Sequence, residues 1–270
     1  MASGGGAGRL KARRSVFGQR ILVLVPHPDD EIVGAAAAIQ RARARGARVH
    51  AAYLTTGVPE PAALWPWQRR KHNFMVERRW AEARAVAERL GLATALRQTL
   101  ATRTLKSALA ATHAALQAAI ERLGIDRVWA PAYEGGHQDH DSANILASRL
   151  EAAAIWEFSE YHFAGGRLAS QSFIRRAGSE RILELAPAER AAKRELLDLY
   201  ASERGNLGYV GTEREAFRPL AASDYSRPPH DGRCFYQRFQ WVPFHPRVDR
   251  GRPEEVCRAA ATFLRSGQAR

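Results

Sequence analysis

The chain has 270 residues, a length that suits one large α/β domain with a substantial buried core. Hydrophobic residues make up 46% and the formal net charge is +13, which favours anionic partners through long-range attraction. Only four of the 41 basic residues are lysine, and the arginines are spread along the chain without an aromatic-interleaved basic block, so the composition argues against specific nucleic-acid binding.

The first 19 residues are basic and contain no apolar core, so we expect a disordered tail there rather than a secretory signal. No apolar run elsewhere approaches the ~20 residues that a transmembrane helix needs. Cys234 and Cys257 belong to no CxxC pair, and we expect free thiols in a reducing compartment. Together these features predict a cytoplasmic protein.

Residues 20–155 alternate between strand and helix patterns. The run RILVLV (20–25) predicts a strand buried on both faces, as in a parallel sheet. The predicted strands are 20–25, 48–57, 96–100 and 127–132, and the predicted helices are 31–46, 68–90, 104–124 and 142–154. This alternation predicts βαβ units in an α/β fold, with a Rossmann-like, mostly parallel sheet and helices on both faces.

After residue 155 the pattern becomes rich in strands. The predicted strands are 155–163, 172–178, 179–186 and 233–244, of which 172–178 and 179–186 would form a hairpin. Helices are predicted at 187–203 and 253–267, and a loop or lid at 204–232. No linker divides the chain, so we predict one domain over 20–270. It would consist of a metal-binding core (20–155) and a C-terminal β-rich elaboration on the substrate side (156–270).

Two clusters of polar residues follow predicted strands. PHPDDE (26–31) comes directly after the first strand, and YEGGHQDHDSAN (133–144) follows the strand at 127–132. Open α/β sheets bind their ligands beyond the carboxyl ends of the strands. We therefore expect the two clusters to meet at one edge of the sheet, although they are far apart in the chain.

The two clusters contain a set of side chains suited to zinc. His27 and Asp30 are three residues apart, a spacing that can bring both to one point as a helix begins, and His140 completes a His/Asp/His set. Three such ligands leave a fourth position for a water molecule, whose pKa falls to ~7 on zinc. We predict one zinc ion per chain, with another divalent metal as the alternative.

Three further side chains suit hydrolytic chemistry. Asp29 can accept a proton from the water as general base, and His137 can donate a hydrogen bond or a proton to the oxyanion or the leaving group. Asp139 can orient a neighbouring histidine. The structural alternative is that the acids at 29–31 cap a helix and that His27 is an ordinary hydrogen-bonded histidine. The joint occurrence of two such clusters at strand ends favours the catalytic interpretation.

PHPDDE followed by HQDH resembles the LmbE/PIG-L family of zinc-dependent N-deacetylases, which act on N-acetylated sugars such as N-acetylglucosaminyl groups. The first motif is complete, whereas Gln138 stands where the second motif, HPDH, has proline. The resemblance implies a Rossmann-like fold, with Asp29 as general base and His137 as the electrostatic or acid partner. It also implies zinc bound by His27, Asp30 and His140.

Weaker matches extend the resemblance. LTTG (54–57) is similar to a strand-end motif of the family, and RWAEARAVAERLG (79–91) to a helix whose arginine, here Arg79, reaches toward the substrate. A surface charge on a helix is an equal alternative for Arg79. Gly135 occupies a place where some members have a tyrosine that assists the oxyanion.

The predicted function is that of a metal-dependent hydrolase that removes an N-acetyl group from an amino-sugar-containing substrate by means of zinc-activated water. Its partner would be a small N-acetylated sugar or glycoconjugate, and a homo-oligomer is compatible with the sequence. One alternative is an amidase of the same mechanism acting on a non-sugar N-acyl substrate. Another is a non-catalytic basic protein that binds an anionic polymer or a membrane.

Overall fold

A computed structural model describes residues 15–266, and the structural statements that follow concern this range. Residues 1–14 of the predicted tail lie outside the described residues. Residues 15–19 contact the fold, since Val16 is buried and its carbonyl oxygen accepts a hydrogen bond from Trp129 Nε1 at 2.9 Å. Within residues 15–266, no helix is both long and apolar enough to cross a membrane. Cys234 and Cys257 are buried free thiols.

Seven strands form one sheet. Five of them pair in parallel: β1 (Arg20–Val25), β2 (Arg48–Tyr53), β3 (Ala93–Arg97), β4 (Arg127–Pro131) and β5 (Ala154–Phe158). The short strands β6 (Tyr161–His162) and β7 (Ala169–Ser170) pair separately, while β8 (Arg181–Glu184) and β9 (Arg214–Pro219) extend the large sheet in antiparallel pairing. The order across the sheet is β3-β2-β1-β4-β5-β9-β8.

Helices cover both faces because the central strand is apolar on both sides. Ile21 and Val23 of β1 point into one core, whereas Leu22 and Leu24 point into the other. The first core is covered by α1 (Asp30–Ala44), α2 (His72–Leu90) and α5 (Pro187–Leu199). The second is covered by α3 (Leu109–Leu123), α4 (Gln138–Ala147) and α6 (Pro253–Ser266). The predicted Rossmann-like α/β fold is therefore confirmed.

The C-terminal half differs in detail from the prediction. Residues 172–178 form bends and irregular backbone rather than a strand, so the predicted hairpin is wrong. β8 pairs instead with β9, inside the predicted loop 204–232. β9 is hard to recognise in the sequence because its Glu215 is charged, although the side chain is fully buried. Lys193 Nζ forms an ion pair with this carboxylate at 2.9 Å. The predicted strand 233–244 is also wrong. Phe235 and Tyr236 are buried in a short 3-10 helix, Phe235–Gln237, and the residues after it form turns and bends that leave Phe239 and Trp241 exposed. The tertiary structure therefore overrides the β propensity of this segment.

Candidate metal centre

The two polar clusters meet where the strand order of the sheet reverses. β1 lies between β2 and β4, so the loops after β1 and β4 leave the sheet on opposite sides of a crevice. This switch point is where open α/β sheets bind ligands. His27 comes from the loop after β1 and Asp30 from the first turn of α1. His137 and His140 come from the loop after β4 and the first turn of α4. The sheet thus brings together side chains that are distant in sequence.

Three ligand atoms form a compact triangle at this point. His27 Nδ1 lies 3.3 Å from Asp30 Oδ2, His140 Nε2 lies 3.2 Å from the same oxygen, and the two imidazole nitrogens are 3.2 Å apart. Zinc takes nitrogen and oxygen ligands at about 2.0–2.2 Å, so a tetrahedral zinc separates neighbouring ligand atoms by roughly 3.3–3.5 Å. The triangle therefore has the size and chemistry of one face of a tetrahedral site.

Neighbouring groups offer overlapping sets of donors. Ring nitrogens of His27, His137 and His140 can converge on one point, and so can donors of Asp30, His140 and Glu160. However, His137 Nδ1 already accepts the N–H of residue 139 at 3.1 Å, and Glu160 Oε2 lies 2.6 Å from His140 Nδ1. His137 and Glu160 are therefore better placed beside the triangle than in it.

The imidazole of His27 is held by Asp139 on the side away from the triangle. His27 Nε2 lies 3.0 Å from Asp139 Oδ2. The buried carboxylate of Asp139 also accepts hydrogen bonds from Thr102 Oγ1 at 3.1 Å and from the N–H groups of Arg103 and Leu105 at 2.5 and 3.2 Å. In the neutral imidazole, these contacts place the proton on Nε2 of His27, so that the lone pair of Nδ1 is available to a metal.

Glu160 does the same for His140, and the sequence analysis did not find it. It follows β5, is 3% exposed, and presents Oε2 to His140 Nδ1. The signal was an acid inside an otherwise aromatic pattern, EFSEYHF, at the end of a third strand. Such carboxylate partners fix the tautomer and the orientation of metal-binding histidines.

The protonation preferences of the cluster indicate that it favours positive charge. Burial alone lowers the pKa of His27, but Asp30 and Asp139 outweigh it and raise the pKa to about 9. Burial also opposes the charge on Asp30, yet His140 and His27 hold its pKa well below the usual range. A divalent cation bound between these groups would supply the positive charge that the carboxylates favour.

Asp29 is held in an unusual backbone conformation at the start of α1. Its φ is 141°, a region that is strained for any residue except glycine. Glu31 stabilises the turn, because its buried carboxylate accepts the N–H of Asp29 at 3.1 Å and the hydroxyl of Tyr200. The result turns the Asp29 side chain toward Arg79, whose Nη2 lies 3.2 Å from Asp29 Oδ2.

Arg79 is not a surface charge. It is 3% exposed, and it lies between Asp29 and Glu203, with Nη1 3.4 Å from Glu203 Oε1. Burial raises the pKa of Asp29 well above its usual value, and the opposing charge of Arg79 lowers it only in part. The alternative of an exposed helix charge is therefore excluded, and Arg79 stands on the cavity wall beside the acid.

His137 begins α4 as its N-cap residue. Because Nδ1 accepts the N–H of Asp139, the neutral ring carries its proton on Nε2, which lies 3.6 Å from Asp249 Oδ2. Burial, followed by the charge of His27, holds the pKa of His137 well below its usual value. His137 is therefore a neutral hydrogen-bond donor whose Nε2–H lies at the cavity wall.

A cavity of about 800 Å³ opens over these residues. Its walls come from the core and from two segments of the C-terminal half, residues 202–209 and 235–249. Tyr209 lines this cavity, Trp65 lines an adjoining one, and Trp67 stacks on Trp65 with ring centroids 5.2 Å apart. The polar residues of the metal centre therefore face a cavity that the C-terminal half helps to enclose.

A switch-point crevice with a His/Asp/His triangle defines an α/β protein with a candidate metal-binding active site. Residues 22–150 match the model of the PIG-L family, described as GlcNAc-PI de-N-acetylase. The matched region carries both polar clusters, so the chain is similar to this family in the part that forms the candidate metal centre. No curated protein matches the chain.

Solved structures of deacetylases share the fold. A deacetylase of teicoplanin biosynthesis superposes with a TM-score of 0.59 at 17% identity, and A40926 pseudoaglycone deacetylase with 0.57 at 18%. Each superposition covers 76% of this chain and 99% of the other. N,N'-diacetylchitobiose deacetylase from Pyrococcus horikoshii has a TM-score of 0.51 at 14% identity, covering 85% of this chain and 95% of the other.

Proposed function

We propose that the chain is a metal-dependent N-deacetylase that releases acetate from an N-acetylated sugar or glycoconjugate. One observation carries this proposal: His27 Nδ1, Asp30 Oδ2 and His140 Nε2 lie 3.2–3.3 Å from one another at the switch point. The similarity in fold to enzymes named as deacetylases of teicoplanin and diacetylchitobiose supports the choice of a glycoconjugate.

These three side chains would hold one divalent ion, with zinc as the best match to two imidazoles and a carboxylate. The metal, when bound, lowers the pKa of a coordinated water to ~7 and polarises the amide carbonyl. Asp139 and Glu160 hold the two imidazoles from behind, so that the free ring nitrogens face Asp30.

Asp29 is the proposed general base. Its carboxylate lies on the cavity wall, and burial raises its pKa above the usual acidic range, which strengthens it as a base near neutral pH. Arg79 orients it through the 3.2 Å ion pair and remains on the wall, where the predicted substrate contact would be made. Asp29 takes a proton from the attacking water as the water oxygen adds to the amide carbon.

His137, which also lines the cavity, is the proposed partner of Asp29. Its Nε2–H can donate to the developing oxyanion, as preorganised donors do in acyl transfer. The C–N bond then breaks as Asp29 returns its proton to the nitrogen, and acetate and a free amine leave. We also propose that residues 20–270 act as one domain, in which 156–270 complete the wall that faces the substrate.

The test combines metal content with amine release. We would measure metal per chain and turnover on a panel of N-acetylated sugars for the wild type, His140→Ala and Asp29→Asn. Arg84→Gln, on the exposed face of α2, is the matched control. We expect about one metal per chain in the wild type, loss of metal and turnover in His140→Ala, and retained metal with roughly 10²–10⁴-fold lower turnover in Asp29→Asn.

A wild type that binds no metal after reconstitution would refute the proposal. So would an Asp29→Asn variant that keeps full turnover. Turnover on non-sugar N-acyl amides alone would retain the mechanism and replace the proposed substrate class.

A further inference from the structure

A second cavity adjoins the first. It has a volume of about 610 Å³. It shares walls with the larger cavity at six residues: Leu64, Arg103, His245, Pro246, Val248 and Asp249. A group bound in the second cavity would therefore be a neighbour of a sugar bound over the metal centre.

Three arginines of this second cavity are held in place by neutral acceptors. Arg103 Nη1 donates to the carbonyl of Val248 at 3.3 Å, and Arg250 Nη2 to that of Val242 at 2.7 Å. Arg69 Nε donates to the carbonyl of Leu64 at 3.1 Å. These bonds fix the guanidinium groups without neutralising their charge.

In the part of the chain that the structure describes, none of the three guanidinium groups forms an ion pair with a carboxylate. Arg103 Nε is also buried with no hydrogen-bond partner among those residues. A buried donor without an acceptor is costly, by about 1–3 kcal/mol, so this position favours a ligand that brings an acceptor.

The acidic side chains of the same cavity are already engaged. Glu255 Oε2 lies 3.4 Å from Lys106 Nζ, and both carboxylate oxygens of Asp249 accept hydrogen bonds from Gln138 Nε2 at 2.7 Å. The cavity is lined by four cationic and two acidic side chains, which leaves an excess of positive charge. Such a lining attracts anions in a partly desolvated space.

Arg103 connects this cavity to the metal centre. Its φ is 73°, a conformation in which residues other than glycine are strained. In this conformation its N–H donates to Asp139, while its side chain lines both cavities. The backbone strain therefore places one fixed positive charge between the two spaces.

We infer that the second cavity is a subsite for an oxyanion group of the substrate, a phosphoryl or carboxylate attached next to the N-acetylated sugar. This inference rests on the proposed function, which it deepens by assigning an anionic substrate. Arg103, Arg69 and Arg250 would bind the group, because guanidinium groups match the oxygens of phosphate and carboxylate in pairs.

The test uses two readouts. The first is binding of inorganic phosphate, measured by calorimetry at constant ionic strength on the metal-loaded protein and on His140→Ala. The second is kcat/KM on N-acetylglucosamine against N-acetylglucosamine 1-phosphate and 6-phosphate. The variants are Arg103→Gln, Arg103→Lys and Arg250→Gln, with Arg84→Gln as the control arginine.

We expect saturable phosphate binding that persists in His140→Ala and weakens about tenfold in Arg103→Gln and Arg250→Gln. That weakening corresponds to about 1.4 kcal/mol per variant. The phosphate affinity of Arg103→Lys should lie between those of the wild type and Arg103→Gln, and the affinity of Arg84→Gln should equal that of the wild type. On substrates, the preference for a phosphorylated sugar should drop about tenfold in Arg250→Gln with little change on the neutral sugar.

Phosphate binding that vanishes in His140→Ala would place the anion on the metal and overturn the inference. Binding that is unchanged in both Arg250→Gln and Arg103→Gln would also overturn it. Arg250 lies at an exposed position, so this variant remains informative if Arg103→Gln fails to fold. Phosphate binding with the expected variant pattern, but without turnover on any substrate, would sustain the subsite and refute the deacetylase proposal separately.

Discussion

Replacing Asp139 by asparagine should weaken the metal centre without changing the shape of the side chain. The carboxylate of Asp139 accepts four hydrogen bonds. Oδ2 accepts from His27 Nε2, Thr102 Oγ1 and the N–H of Arg103, while Oδ1 accepts from the N–H of Leu105. Asparagine has one carbonyl oxygen, so at best it preserves the three bonds on the Oδ2 side and turns its NH₂ toward another donor, the N–H of Leu105.

The cost can be divided between metal binding and folding. Leaving the Leu105 N–H unpaired costs about 1–3 kcal/mol, and each bond that changes from charged to neutral loses roughly 1 kcal/mol. Only the bond to His27 acts on a proposed metal ligand, which predicts roughly 10–100-fold weaker metal affinity. The bonds to Thr102, Arg103 and Leu105 act on the free energy of unfolding of the metal-free protein, which should fall by about 3–5 kcal/mol.

Two measurements separate these effects. Metal affinity is obtained by competition with a chromophoric chelator, and the free energy of unfolding by urea titration of the metal-free protein. Glu121→Gln, on the exposed side of α3, is the matched control for an acid-to-amide change. An Asp139→Asn variant with wild-type metal affinity and unchanged unfolding would refute the idea that this carboxylate organises His27 and the loop around it.

Three further outcomes are expected. Lys193→Met should lower the free energy of unfolding by about 3–5 kcal/mol, because it removes the cation that balances the charge of the fully buried Glu215 and leaves that carboxylate to the N–H groups of Ala37 and Ala38. Adding Glu215→Gln should recover part of the loss in urea titrations. Burial raises the pKa of Glu134 well above its usual value, so its contribution to stability is fully present below about pH 4.3 and is lost as the pH rises through the folded pKa. Glu134→Gln should therefore gain stability relative to the wild type between pH 4 and pH 8, and a difference that does not vary with pH would contradict this assignment. Chelation should lower the Tm of the wild type, by the equivalent of about 2.7 kcal/mol when metal was present at 100 times its Kd, and should leave the Tm of His140→Ala unchanged.

Local sequence patterns were sufficient to predict the central strands of the sheet. The apolar run of β1 predicted a strand buried on both faces, and its odd and even residues do enter separate cores. The prediction succeeded because a strand in a parallel sheet needs apolar side chains on both sides, which is visible in a few adjacent letters. The two polar clusters could be predicted in the same way, because the end of a strand is also recognised from a few adjacent residues.

Tertiary structure was needed where a charged residue finds its partner far along the chain. β9 was missed because Glu215 reads as an exposed acid until Lys193 is placed against it. Glu160 was missed because its contact with His140 depends on the fold, and no local pattern around Glu160 predicts that contact. For Arg79, the sequence allowed two interpretations, a substrate contact or a surface charge. The fold places its side chain in an ion pair with Asp29 and so excludes the surface charge.

The sequence by itself thus determined the α/β class, the central strands and the side chains that gather at the switch point. Only the tertiary structure decided how those side chains are held, where Arg103 carries its charge and which cavities open beside them. The physical reason is that secondary structure and strand-end loops follow from short-range sterics and hydrophobic period. Ion pairs, cavities and strained turns arise from contacts between segments that folding alone brings together.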